Sequence, residues 1–183
     1  MKHELDNKFY DNAYLSAGKY DMHYSKTPYK NVWNEVLEIC KGLRVADFGC
    51  GVGQLADMMI DNNVDYSYGV DFSAVAINKC KRLKADFYRR SLYDDVYNLK
   101  PYDIALFLEV LEHVQKDIDI IKSVPEGREI ILTVPNWDSS SHVRHFKSLE
   151  EAKERYSFLK DVFCSEHKIG NSNKYIYLIN GIR

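Results

Sequence analysis

At 183 residues and 21.4 kDa, with 45% hydrophobic and 28% charged residues, the chain has the make-up of one globular domain and not of a disordered one. A formal net charge of −2 withholds the broad basic footprint of most nucleic-acid binders, so nucleic acid is not expected as a partner, and no apolar run approaches the roughly 18 residues of a membrane-spanning helix. Cys40, Cys50, Cys80 and Cys164 are scattered without a CxxC pair, which excludes zinc ribbons and thioredoxin-like motifs and suits a reducing compartment. The charged first eleven residues leave no apolar segment for a secretory signal, so the expected address is the cytoplasm, away from membranes.

Residues 1–30 stand apart as a polar arm rich in tyrosine (Tyr10, Tyr14, Tyr20, Tyr24, Tyr29), with residues 31–183 forming the domain proper. The rings of the arm either pack on the sheet edge or reach a ligand as a lid. A helix is expected from Pro28 through VWNEVLEIC to Gly42, with Pro tolerated in the first turn and Gly at the end. Strands follow at 43–49, 66–71, 85–90, 102–108 and 128–135, separated by helical stretches near 53–62, 73–84 and 111–123. Connections of crossover length make these strands parallel. The basic stretch 79–90, with six Lys or Arg against one Asp, reads as the solvated face of a helix. After Pro135 a polar loop, NWDSSSHVRHF, leads into the helical SLEEAKERYSFL and then two strand-like runs, 161–168 and 174–181, that pair as an antiparallel hairpin. The expected fold class is α/β: one Rossmann-like domain, its sheet mostly parallel with a C-terminal antiparallel hairpin and helices on both faces.

The sharpest local signal is VADFGCGVGQLA at 45–56, where an apolar strand ends in Asp47 and turns through Gly49, Gly51 and Gly53 into a helix. Glycine permits the tight turn and a close ligand approach, and free N–H groups at a helix start favour an anionic group. Asp71 closes the second strand about eighteen residues beyond Gly53, where a carboxylate accepts hydrogen bonds from ribose hydroxyls. A dinucleotide-type GxGxxG would need glycine at position 54, which is Gln54, so a nicotinamide or flavin dinucleotide is disfavoured.

Here the chain resembles the class I S-adenosylmethionine-dependent methyltransferases, over roughly residues 30–182. Its texture is closest to the small-molecule O-methyltransferases of ubiquinone biosynthesis, through FLEVLEHV (107–114) and LTVPN (132–136). The resemblance implies S-adenosyl-L-methionine as cofactor. Asp47, Gly49, Cys50 and Gly51 would line its methionine portion, with Gly53 a further cofactor-binding residue, Asp71 and Phe72 its ribose and adenine, Ser91 and Leu92 the adenine edges, and Leu108 and Glu109 the sulfonium side. Ser91 stands where the family often has Asp. The implied reaction is methyl transfer to an O or N atom of a small-molecule acceptor.

An oxygen nucleophile needs its proton removed by a base or a metal. Glu109, Glu112 and His113 share one face if a helix begins at 109, so they suit a divalent ion such as Mg2+, while His113 alone suits a general base. The E-x-x-E-H arrangement also resembles that of small-RNA 2′-O-methyltransferases, a family that implies a further metal-ligating histidine in the next loop, here His145. Metal-dependent RNA 2′-O-methylation is thus the alternative reading, and a noncatalytic nucleoside-binding module a second. His142 and Arg144 in the same loop, with Trp137, Tyr20 and Tyr24, are the expected substrate contacts.

Overall fold

The computed structural model describes residues 2–16 and 18–183. In chain order it contains α1 (Asn7–Ser16), α2 (Lys30–Cys40), β1 (Arg44–Phe48), α3 (Gln54–Asp61), β2 (Asp65–Asp71), α4 (Ala74–Cys80), β3 (Asp86–Arg89), β4 (Ile104–Leu108), α5 (Asp117–Ser123), β5 (Glu129–Pro135), α6 (Leu149–Arg155), β6 (Lys160–Lys168) and β7 (Tyr175–Ile182). The strands form one seven-stranded sheet in the order β3-β2-β1-β4-β5-β7-β6. β1 to β5 are parallel, and β7 pairs antiparallel with both β5 and β6. The expected α/β class and terminal hairpin are present.

Period-two alternation distributes the core. In β4, Ile104 and Leu106 face the layer that holds Val36 and Met59 of α2 and α3, whereas Ala105 and Phe107 face the layer that holds Ile120 of α5 and Ala152 of α6. Both sheet faces are therefore covered by helices, and the order reverses beside β1. Ligands of such sheets bind in the crevice at the carboxyl ends of the strands at this reversal.

Several expected boundaries move. The arm is not a plain extension: it holds α1 and short 3-10 turns at Gly18–Tyr20 and Tyr24–Lys26, and α2 starts at Lys30, not Pro28. The helix expected over 73–84 stops at Cys80, so of the six basic residues in the run 79–90 only Lys79 lies in the helix and most of the rest of the run belongs to a turn and β3. The helix expected over 111–123 is split into a 3-10 turn at Leu111–His113 and α5. Glu109 has a left-handed backbone (φ 55°), and the Leu111, Val114 and Gln115 carbonyls accept from the Arg144 guanidinium instead of from helical N–H groups. The shared helical face expected for Glu109, Glu112 and His113 therefore does not form.

Candidate functional site

The crevice is a cavity of about 670 Å³ at the carboxyl ends of β1, β2 and β4, covered by the arm. Its floor is the glycine loop. Val70 O accepts from the N–H groups of both Gly49 (2.8 Å) and Cys50 (3.0 Å), which folds the chain back over β2. Gly49 has φ +89°, and a Cβ there would stand 2.6 Å from Val110 Cγ2, so glycine is needed for both conformation and space. The Asp71 carboxylate accepts from Gly51 N (3.0 Å) and Ser73 N (2.8 Å), tying the loop to the end of β2. Burial pushes its pKa up to about 6, against those two donors. Asp47, also buried, accepts from the Tyr66 hydroxyl (3.0 Å) and is pushed up to about 7 by burial. Two buried carboxylates that resist ionisation form a place that a cationic ligand stabilises.

Most expected floor residues line this cavity: Asp47, Gly49, Cys50, Gly51, Asp71, Phe72, Ser91, Leu92, Leu108 and Glu109. Gly53 does not. Its φ of +78° opens α3, and a Cβ there would meet Leu83 and Cys80. The Cys50 thiol is buried and pushed well up by burial, which fits a packed thiol rather than a nucleophile.

The opposite wall carries the histidines. Glu109, expected beside Glu112 and His113, turns instead to Thr133, whose hydroxyl donates to its carboxylate (3.2 Å) and accepts from its N–H (2.9 Å). His142 joins the group, and the ligating atoms of Glu112, His113 and His142 lie within 4.8 Å of one another. His113 Nδ1 meets Ser141 O (2.9 Å) and His142 Nδ1 meets Trp137 O (3.1 Å). A carbonyl only accepts, so each Nδ1 carries the proton and each Nε2 presents a lone pair. Burial lowers the pKa of both rings, that of His142 to about 4 with His113 as the second cause, so both are neutral near pH 7. Glu112 is buried and pushed up to about 8, with Arg144 as an opposing charge. One carboxylate oriented beside two carbonyl-anchored imidazoles is a donor set for Zn2+, Mn2+ or Co2+. Mg2+, the expected ion, prefers oxygen ligands alone.

Three expected contacts are placed elsewhere. His145 lies off the cavity, its Nδ1 3.8 Å from Asp138. Arg144 reaches no cavity space: besides the three carbonyls it meets Asp117 (3.3 Å), a fully buried carboxylate also held by Arg155 (2.7 Å to each oxygen) and by the Tyr156 hydroxyl (2.9 Å). It braces the segment that bears Glu112 and His113. The Tyr24 hydroxyl donates to Asp61 (2.9 Å) on the outside. Tyr20 and Trp137 do line the cavity. Of the arm tyrosines left between packing and ligand contact, Tyr10, Tyr14 and Tyr29 also line it, as does Trp33, which sequence reasoning did not single out. The i, i+4 spacing of Tyr10 and Tyr14 on one face of α1 was the available signal.

The profile of a methyltransferase domain matches residues 22–163. The small RNA 2′-O-methyltransferase of Arabidopsis thaliana is 29% identical over 114 residues, an alignment covering 51% of this chain and only 12% of that protein. Among solved structures, the N-methyltransferase NodS of Bradyrhizobium japonicum with S-adenosyl-L-homocysteine superposes with a TM-score of 0.71 at 13% identity, covering 97% of this chain and 99% of that one. The magnesium protoporphyrin IX methyltransferase of Synechocystis, solved with bound S-adenosylmethionine, gives 0.66 at 16% identity and 100% coverage of both chains. The methyltransferase domain of bacterial CtHen1 gives 0.62 at 19%, covering 84% and 99%. The chain belongs to the class I S-adenosylmethionine-dependent methyltransferase family. No helix among the described residues is long and apolar enough to cross a membrane.

Proposed function

We propose that the protein transfers the methyl group of S-adenosylmethionine to an O or N atom of a small-molecule acceptor. The observation that carries this reading is the cavity. At about 670 Å³ it lies within the roughly 300–1,000 Å³ range of small-molecule sites, and the cofactor must share it. What remains admits a small acceptor with an apolar or aromatic body, against Tyr29, Trp33 and Trp137. The glycine loop, Asp47 and Asp71 hold the cofactor: Asp71 takes the ribose hydroxyls, and Asp47 faces the cationic methionine end. The arm acts as a lid. Lys79 fastens it through Asp21 and Tyr14 O, and Gln54 through Lys19 O and Met22 O. Alignment of the acceptor atom with the methyl carbon and exclusion of water supply much of the rate. His113 Nε2 takes the proton released as the acceptor–carbon bond forms and the carbon–sulfur bond breaks.

A second reading is favoured by the Glu112–His113–His142 cluster. These residues would hold a divalent ion, which supplies Lewis-acid activation of a hydroxyl when bound. The same cluster would suit the terminal ribose of an RNA. Incubating the protein with methyl-labelled S-adenosylmethionine, hydroxylated and aminated aromatic small molecules and a short RNA, with and without Mn2+, separates the readings. Label in a small molecule is the expected result, and label in RNA alone replaces the first reading by the second.

A further inference from the structure

Among the described residues, two that line the cavity each carry a buried polar atom with no partner: the hydroxyl of Tyr10 on α1 and Oε2 of Glu112 on the 3-10 turn. Such groups are costly to leave unpaired, so they persist in folded proteins where something else bonds them. Tyr10 stands at the junction of the two halves of the cavity. Its ring centroid is 5.3 Å from that of Phe72, beside Asp71, and 5.7 Å from that of His113, in an edge contact. The position is fixed from the next residue, because Asp11 accepts from Ser73 Oγ and from Val75 N (3.1 Å) at the start of α4. A tyrosine hydroxyl, whose ordinary pKa is about 10, keeps its proton at neutral pH and has it to donate.

We infer that the Tyr10 hydroxyl binds the reactive atom of the acceptor and makes the chamber selective for a hydroxyl nucleophile over an amine. This inference rests on the methyltransferase reading of the same site. A hydroxyl oxygen has two lone pairs: one accepts from Tyr10, and the other attacks the methyl carbon. An amine nitrogen has one, and a hydrogen bond from Tyr10 would occupy the pair needed for attack. In the step itself the oxygen–carbon bond forms, the carbon–sulfur pair returns to sulfur, and the hydroxyl proton passes to His113 Nε2. Phe72, Tyr29 and Trp33 give the ring of a phenol an apolar seat.

The test uses the full chain loaded with S-adenosyl-L-homocysteine and three probes of one size, phenol, aniline and toluene, with dissociation constants measured by ligand-observed NMR. Phenol and aniline, whose heteroatoms both accept from Tyr10, are expected to bind about tenfold more tightly than toluene, the worth of one buried hydrogen bond, and with S-adenosylmethionine in place of S-adenosyl-L-homocysteine only phenol is expected to be methylated. Tyr10→Phe is expected to bring the three within about twofold while its affinity for S-adenosyl-L-homocysteine stays unchanged, which shows that the variant folds. Equal binding of the three by the unsubstituted protein, no binding of any, methylation of aniline, or a preference over toluene that survives Tyr10→Phe would each overturn the inference. Failure of S-adenosyl-L-homocysteine itself to bind would overturn the underlying reading instead.

Discussion

The glycine-loop half of the cavity rests on backbone held from a single stretch of chain: Gly49 and Cys50 bond to Val70 O, Gly51 bonds to Asp71, and the strands beneath are fully paired. The histidine half rests on side chains brought from three segments, with Glu112 and His113 after β4, His142 after β5, and Tyr10 from the arm. Its geometry depends on long-range struts, chiefly Arg144 on the 111–115 carbonyls and Asp117 beneath it. The first half is thus a local consequence of sequence, and the second a product of tertiary packing. Changes to the two should separate cofactor affinity from turnover.

The largest expected effect lies on the histidine side. His113→Gln and His142→Gln should each lower turnover on the acceptor by about 100-fold or more, the usual scale of a lost base or ligand, with S-adenosyl-L-homocysteine affinity within about twofold of the unsubstituted protein. His145→Gln should alter neither, as its imidazole lies off the cavity. Loss of activity in His145→Gln alone would place the chemistry elsewhere in the loop. Next, Asp117→Ala leaves Arg144 and Arg155 without their shared buried carboxylate and should destabilise the fold by about 3–5 kcal/mol in urea unfolding. Cofactor affinity below the transition should hardly move. Gly49→Ala does the reverse: a Cβ 2.6 Å from Val110 at φ +89° strains the loop and should weaken S-adenosyl-L-homocysteine binding by about 100-fold, equal to roughly 2.7 kcal/mol.

The smallest effect is in pH, and its sign differs between halves. Asp47 is raised to about 7, so its folded form holds a proton that the unfolded chain releases near pH 4. The stability it contributes is complete below pH 4 and is lost as pH rises through 7. His142 is depressed to about 4, so its contribution is present above the ordinary histidine range near pH 6.5 and is lost as pH falls through 4. Across pH 4 to 7 the two contributions run in opposite directions, so in urea unfolding Asp47→Asn should make stability rise more steeply with pH over that window and His142→Gln should make it fall more steeply. Each slope should change by at most about 1.4 kcal/mol per pH unit, the slope that one proton carries.

Much of the architecture was legible because it repeats simple periods. Short apolar runs such as IALFL alternating with amphipathic helical stretches, and the glycine turn after β1, place the crevice without tertiary information, and the terminal hairpin follows from two strand-like runs around IGNSN. The choice between His142 and His145 was not legible. Both lie in one polar loop, and only the buried Phe146 and the anchoring of Arg144 decide which imidazole faces Glu112. The E-x-x-E-H spacing suggested a helix, but a backbone that gives its carbonyls to Arg144 cannot continue one, and Glu109 leaves the group for Thr133. The particular place of Tyr10 was not legible among the five arm tyrosines, four of which line the cavity, since the docking of Asp11 on Ser73 sets where its ring stands.

The most direct test is a calorimetric titration of the purified protein with S-adenosylmethionine and S-adenosyl-L-homocysteine, beside Asp71→Asn. Binding in the micromolar range, weakened by about tenfold to 100-fold in the variant, is the predicted result, the scale of lost hydrogen bonds to a charged group. No heat with either ligand, or equal affinity in Asp71→Asn, would contradict the assignment of the glycine-loop half to the cofactor.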